Sequence, residues 1–577
     1  MSARRAIVLG GGVAGITAAF TLRDRGYAVE LIEAHRHLGG RAFTLPQRDG
    51  EPAIDNGPHV ILGCYDEFRG LLRRIGSESH FRRASRLELG YRDASGRSCR
   101  LRLLPGPVPL TFPLALLGLR GLSFGERLRA LRGLIASLRI PKDGCTFAAW
   151  LARKGQDGAP RRYLWDPMCR SIMNAEAEEI DAALMLSTLE AAFGGSGARA
   201  AIWIPSAPWS AIVGEPALAR LCEEGVTVQL GARLQSLAID DHAVRAITFA
   251  DGSLRSVAAD ELVVSALPWQ VLRGLAPSVG VAPALCGKPM VSVAFFGDRD
   301  RGHPRDALIA LVDGEPFHFF CRRDGDPPGH FALLSGGARG LEGLSAQEVI
   351  AGARAQLRRH FPNADTPDDL PARITKESQA TLLPRAGEGA LRPRPGPHAT
   401  IRNLVLCGDW TATGLPSTLE GAARSGRDAV ETIWPVRSQR PEAMLGARGA
   451  LLLGLLVGLF CFVPFWFEPC VEPVLVTTPW IGLVALAPIV ALRWFESLDR
   501  MVWLVTLPGI GLVLSLLAHF VVPLWLPFSM FTGVETIDER VETLIRSLHL
   551  SCLAIALGVL AIAPVFTRLS GRRPLDR

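Results

Sequence analysis

A chain of 577 residues exceeds what a single hydrophobic core normally serves, so two or more structural units are expected. The 63 basic and 56 acidic residues are scattered and no nucleic-acid-binding motif is present, which excludes a nucleic-acid partner. The 11 cysteines are widely spaced and form no Cys-x-x-Cys pair, which excludes a disulfide framework and a zinc site and suits a reducing compartment.

The first element in the chain is a short apolar run, Ala6 to Leu9, suited to a buried parallel strand. Met1 to Arg5 is basic, but the run after it ends within the glycine cluster, so a strand is expected there and not an export signal. Gly10, Gly11, Gly12, Val13, Ala14 and Gly15 follow, a G-x-G-x-x-G pattern with one added glycine. A helix is predicted from about Val13 to Arg25, then a second strand from Tyr27 to Ile32 closed by Glu33. Each residue has a physical task. Gly10 permits the tight turn, Gly12 lets the backbone approach a pyrophosphate, and Gly15 lets helix and strand pack. Phosphates would sit on the unpaired N–H groups of the helix N-terminus, including those of Val13 and Ala14. Glu33 can accept hydrogen bonds from a ribose diol. Dinucleotide binding is the expectation.

After Glu33 and Ala34 comes Leu38-Gly39-Gly40-Arg41. Acid, short spacer and Gly-Gly-Arg resemble the extended fingerprint of the amine oxidase and phytoene desaturase group of FAD enzymes. That resemblance implies FAD, with Gly39, Gly40 and Arg41 along its phosphates and flavin. Further on, Gly225 to Leu237 is expected as two short strands and Glu261 to Trp269 as a strand ending in Ala266-Leu267-Pro268. The same group implies an adenine contact near Leu234; plain sheet core is the competing expectation. Asn403 to Cys407 is expected as a buried strand, followed by Gly408-Asp409-Trp410 and a helix from about Thr418 to Ile433. This resembles the group's second FAD motif, which assigns Gly408 and Asp409 to the ribityl chain or pyrophosphate. It also aims the helix N-terminus, at Thr418 and Leu419, at the flavin pyrimidine.

The resemblance narrows at Ile54-Asp55-Asn56-Gly57-Pro58-His59 and at Gly408 to Gly421 (GDWTATGLPSTLEG). Together these are similar to bacterial hydroxysqualene dehydroxylase of the hopanoid pathway, over about residues 4 to 434. Looser likeness runs through Leu103 to Leu119, Phe147 to Leu151, Leu164 to Pro167 and Asn174. Pro58 stands where that family usually has glutamine, and Ile172-Met173-Asn174 where it has Ala-Leu-Asn. The resemblance implies reductive dehydroxylation of hydroxysqualene to squalene, with a hydrophobic isoprenoid as substrate and an unidentified electron donor. Asp55 and His59, in a loop expected near the flavin, are the candidate acids; orienting or packing roles are the alternative. A carotenoid- or phytoene-type desaturase, or an amine oxidase, would instead run FAD oxidatively. With four tyrosines in the chain, the aromatic cage of an amine oxidase is poorly provided for.

The expected architecture is α/β: a Rossmann-type FAD-binding domain with an inserted α+β substrate domain, followed by a C-terminal bundle of transmembrane helices. FAD-binding segments fall at about 1–63, 220–270 and 400–434, and the substrate domain at about 64–219 and 271–399. In Leu103 to Ile140 the one acidic residue is Glu126, among leucines and spaced arginines. A helix over the substrate-domain core is the favoured expectation there, and an amphipathic helix dipping into lipid the other. Pro384 to Thr400 is expected to be a loop. Residues 435–444 are expected as a linker to a membrane domain at 445–570. Its four apolar runs are about Leu445 to Phe467, Pro473 to Ala491, Met501 to Phe520 and Leu550 to Phe566. Arginines flank the first run and fill the tail, while the first and third loops are acidic. These features predict a multi-pass protein of the inner membrane, the lipid bilayer a partner and the FAD domain on the cytoplasmic side.

Overall fold

The computed structural model describes residues 4–48 and 51–433. The chain divides into two units, Met1–Arg437 and Ser438–Arg577. Among the described residues no helix is long and apolar enough to cross a membrane. This corrects the expected C-terminal transmembrane bundle and the multi-pass localisation drawn from it. The four runs that suggested them lie outside the described residues.

The first unit is built on a six-stranded sheet. Its order is Gly396–Pro397, Leu404–Leu406, Leu262–Ser265, Arg5–Leu9, Ala28–Glu33 and Thr227–Leu230. All neighbours pair in parallel except the Gly396–Pro397 edge. Arg5–Leu9 lies at the centre, with Ala6 opposite both Leu262 and Val29. A strand paired on both edges and covered on both faces must be apolar throughout, and Ala6, Ile7, Val8 and Leu9 are all buried. The three segments that supply this sheet are far apart in sequence, so the sheet closes only once the intervening chain has folded back.

Helix Val13–Asp24 follows the central strand. It ends as its sequence dictates: Gly26 at φ +79° lets its N–H reach the Arg23 carbonyl while Tyr27 N–H reaches that of Leu22. Its outer face meets helix Leu419–Glu431. Contact there is backbone-close, because a Cβ on Gly426 would stand 2.2 Å from the Ala14 carbonyl oxygen. Glu420, at the start of the second helix, accepts the Glu67 and Phe68 N–H groups at 3.1 and 3.0 Å. That carboxylate caps helix Asp66–Arg74 from a position more than 350 residues away.

A second, seven-stranded sheet lies in the same unit. Its order is Ala372–Leu382, Gly287–Phe296, His330–Gly336, Phe319–Cys321, Leu308–Val312, Glu88–Asp93 and Ser98–Arg102. Only Leu308–Val312 and Glu88–Asp93 pair in parallel. Helices between 108 and 193 cover it over a core that includes Trp150, Tyr163 and Trp165. Pro384 to Thr400, expected as a loop, also contributes the Gly396–Pro397 strand to the edge of the first sheet.

The helix contact makes a direct prediction. Gly426→Ala should destabilise the first unit by about 1–3 kcal/mol through overpacking, read as a lower urea midpoint. An unchanged midpoint would contradict the close approach at Ala14.

Candidate active site

Strand Arg5–Leu9 delivers the chain into a glycine cradle. Gly10 has φ +102°, and a Cβ on Gly15 would stand 1.9 Å from the Gly10 carbonyl oxygen. Gly12 forms the helix N-cap, and no side chain caps the helix or places an acid in its first turn, which opens on the buried Val13 and Ala14. Gly39 and Gly40 fold back on this turn: Gly39 N–H donates to the Gly11 carbonyl at 2.9 Å, and a Cβ on Gly40 would lie 3.0 Å from the Gly12 Cα. An uncapped helix N-terminus in a cradle from which side chains are excluded fits a pyrophosphate. Glu33 is buried at the end of its strand, with one carboxylate oxygen accepting Gly11 N–H at 2.6 Å and the other His35 N–H at 2.8 Å. Its carboxylate thus fixes the glycine turn, a role the sequence alone does not suggest. Ala34, half-buried, carries the chain off the strand. Leu234 packs among Ile7, Leu9 and Ile32, on the face of the sheet opposite the Val13–Asp24 helix core.

The second motif arrives beside the first. Arg41 donates to Asp409 Oδ1 at 2.6 Å and to the Ala380 carbonyl at 2.5 Å. One guanidinium therefore joins the Gly-Gly-Arg turn, the Gly-Asp turn and the longest strand of the second sheet. Gly408 sits at φ +132° and donates its N–H to Ser425 Oγ at 2.9 Å. Thr418 caps the helix that begins at Leu419, accepting from Gly421 N–H at 3.1 Å. The loop between is held by Arg392, a buried arginine whose guanidinium donates to the carbonyls of Asp409, Trp410, Thr411 and Leu415. Arg392 lies in the proline-rich stretch that reads as a plain loop, so no local pattern marks it.

Asp55 and His59 wall a cavity of about 740 Å³, its solvent-open part included. Apolar lining comes from Ile54, Phe295, Phe296 and Phe331. Asp55 Oδ1 accepts from Thr44 Oγ1 at 2.7 Å and Trp209 N–H at 2.9 Å, while Oδ2 faces Arg323 Nη1 at 3.3 Å. Burial pushes the Asp55 carboxyl above the usual aspartate range, against the lowering pull of the Trp209 N–H, Thr44 and Arg323. His59 stacks edge-on against Trp209, its ring hydrogen-bonds the Arg41 backbone, and its buried Nε2 has no partner. Burial lowers its pKa to about 4, so the ring is neutral. Arg323 and Trp209 belong to this site although they stand 268 and 154 residues from Asp55. Asn174 is not part of it: in a left-handed turn, it accepts Gly337 N–H at 2.7 Å and donates to the Pro289 carbonyl at 3.2 Å.

Elsewhere Glu176, Glu315 and His318 converge within 4.8 Å. Arg170 already neutralises that group, donating to Glu176 at 2.9 Å and Glu315 at 2.8 Å. His318 Nδ1 is taken by Gly336 N–H at 3.1 Å.

The depressed His59 pKa has a sign. The unfolded ring titrates near the ordinary 6.5 and the folded one near 4, so its contribution to stability is full above 6.5 and is lost as pH falls toward 4. His59→Phe should therefore flatten the stability loss between pH 7.5 and 5 by about 2 kcal/mol, measured by denaturant unfolding at both pH values. An equal loss in both proteins would contradict a neutral buried ring.

Sequence comparison matches residues 13–434 to the family described as flavin containing amine oxidoreductase. A hydroxysqualene dehydroxylase of Rhodopseudomonas palustris is 29% identical over 439 residues, covering 74% of this chain and 97% of that one. Its counterpart in Sinorhizobium fredii is 26% identical with the same coverages. A solved oxidoreductase from Methanosarcina mazei superposes with a TM-score of 0.58 at 16% identity, over 74% of this chain and 100% of that one, a likeness of fold. The cofactor of the fold is FAD, and the chain belongs to the family of flavin-containing amine oxidoreductases.

Proposed function

We propose that the enzyme removes the hydroxyl group of hydroxysqualene reductively, giving squalene. The observation that carries this reading is the cavity just described: aromatic and aliphatic walls, with an aspartate of raised pKa and an unpartnered histidine nitrogen beside the Arg41 turn. Two relatives named for that activity support it.

In this reading Gly10, Gly12, Val13, Ala14 and Gly15 would hold the pyrophosphate of FAD. Glu33, Ala34 and Leu234 would hold its adenosine part. Gly39, Gly40, Arg41, Gly408, Asp409, Thr418 and Leu419 would hold its flavin part. Residues 1–434 form the oxidoreductase, with the substrate held by segments 64–219 and 271–399. Reduced flavin, when bound, supplies a hydride.

The remaining work falls to the chain. The net change replaces C–OH by C–H, consumes one hydride and one proton, and releases water. Loss of an allylic hydroxyl builds positive charge on carbon, which water would capture, so the apolar walls must exclude it. Hydroxide leaves poorly and has to depart as water, which requires a proton. Asp55, its pKa raised by burial, is the carboxyl beside the cavity that can deliver that proton. Arg323, Thr44 and Trp209 N–H fix the carboxyl's orientation. His59 would donate a hydrogen bond from its ring N–H to the Arg41 backbone and accept one from the substrate hydroxyl at Nε2, orienting it.

The amine oxidase alternative draws less support from the cavity. None of Tyr27, Tyr65, Tyr91 and Tyr163 lines it. Tyr91 and Tyr163 pair with each other in the substrate-side core, 6.1 Å apart, so no tyrosine cage for an amine is provided.

Under anaerobic conditions, dithionite-reduced enzyme mixed with hydroxysqualene should reoxidise its flavin and yield squalene by mass spectrometry. Persistently reduced flavin without squalene would overturn the proposal. Asp55→Asn should slow flavin reoxidation by about 10²-fold or more with the flavin spectrum retained, as expected for removal of a general acid. An unchanged rate would remove Asp55 from the acid role.

A further inference from the structure

Helix Phe124–Ala136 carries apolar residues on more than one face. A helix on a globular surface normally turns its large apolar side chains inward. This one buries the small Ala130 and Gly133, with Leu131 and Leu134 partly buried against the same core, and leaves further large apolar residues outside. The fit there is tight, since a Cβ on Gly133 would stand 2.2 Å from the Gln156 amide. At 100° per residue, Phe124, Leu128 and Ile135 fall on one stripe on the far side. They point to solvent, with Phe124 68% and Ile135 61% exposed. Leu114, on the helix packed against this one, and Leu138, just past its end, are also exposed. Six of the ten large apolar side chains found exposed among the described residues fall between 104 and 138.

The charges along this stretch are mostly positive, with Arg120, Arg129, Arg132 and Arg139 exposed. The one acid, Glu126, is spent on the helix N-cap, where its carboxylate accepts from Ser123 N–H at 2.8 Å, and it also lies 3.8 Å from Arg129. An aliphatic stripe rimmed by arginines matches the acyl–headgroup boundary of an anionic bilayer, with the cations at the phosphates and the stripe below them. A second copy of this chain would bring the same positive rim against itself.

We propose that helix Phe124–Ala136, with Leu114 and Leu138, is a peripheral lipid-docking face of the first unit. The helix lies in the interface and does not cross it. The purpose of such a face rests on the reading that the substrate is a water-insoluble isoprenoid, but the docking itself is tested without turnover.

The test uses the full chain with FAD. Photoreactive benzoylphenylalanine replaces Phe124 in one protein, Ile135 in a second and Leu254 in a third. Leu254 is a comparably exposed residue, 65%, on the small antiparallel sheet. Each is illuminated with vesicles of one part phosphatidylglycerol to three parts phosphatidylcholine, and lipid adducts are counted by mass spectrometry. Positions 124 and 135 should give at least tenfold more lipid adduct than position 254. Arg132→Glu with Arg139→Glu should cut that adduct at least fivefold while the flavin spectrum stays unchanged. Equal labelling at all three positions, insensitivity to the charge reversal, or adducts mainly to a second chain or to residues 438–577 would overturn the proposal. Because illumination needs no substrate, a failure here is separate from a failure of the dehydroxylase reading.

Discussion

The contact on which the rest depends is the approach of helix Val13–Asp24 to helix Leu419–Glu431. At Gly426 the two backbones come close enough that no Cβ can stand between them. Closing that contact aligns Leu404–Leu406 with Leu262–Ser265 and so completes the parallel sheet. It also carries Gly408 and Asp409 to the Gly-Gly-Arg turn, where Arg41 bridges them. Glu420 then reaches the N-terminus of helix Asp66–Arg74. The cofactor site is therefore a property of the closed chain: neither glycine turn has its partner until the two ends meet.

Around that frame the unit handles buried charge in two ways. Two largely buried arginines are held by many acceptors. Arg392 spends its donors on carbonyls of one loop, and burial lowers its pKa against the raising pull of Asp409. Arg170 sits between Glu176 and Glu315. Where chemistry is expected, satisfaction is incomplete. His59 keeps a buried nitrogen with no partner, and Asp55 is raised in pKa in spite of three donors. Perturbed, under-satisfied groups against an apolar wall are what a proton-handling site requires and what a structural network avoids.

The sequence made the first unit's local elements legible because its signals are local. The glycine turn, the strand before it, the helix after it and the acid closing the second strand all lie within 30 residues. The Gly408–Asp409 turn and its helix read equally well. Long-range partners left no such mark. Arg323 is an ordinary arginine until the fold brings it to Asp55, and Trp209 reaches Asp55 through its backbone N–H, which carries no side-chain pattern. Asn174 belongs to the looser family likeness and serves a left-handed turn, its amide satisfying the Pro289 carbonyl in one strand and the Gly337 N–H just past another. Glu33 was legible as an acid at a strand end, whereas its grip on Gly11 N–H required coordinates. The expectation of membrane-spanning helices came from run length and flanking charge alone, and among the described residues no helix supports it.

The central claim is spatial: FAD bridges the two glycine turns and presents its reactive ring to the cavity that holds Asp55 and His59. The FAD-bound crystal structure measures this directly. The account predicts pyrophosphate density on the Val13–Asp24 N-terminus and the flavin ring between the Arg41 and Asp409 turns, facing the unpartnered His59 Nε2. Flavin density directed away from that cavity, with Asp55 and His59 sealed behind protein, would contradict it.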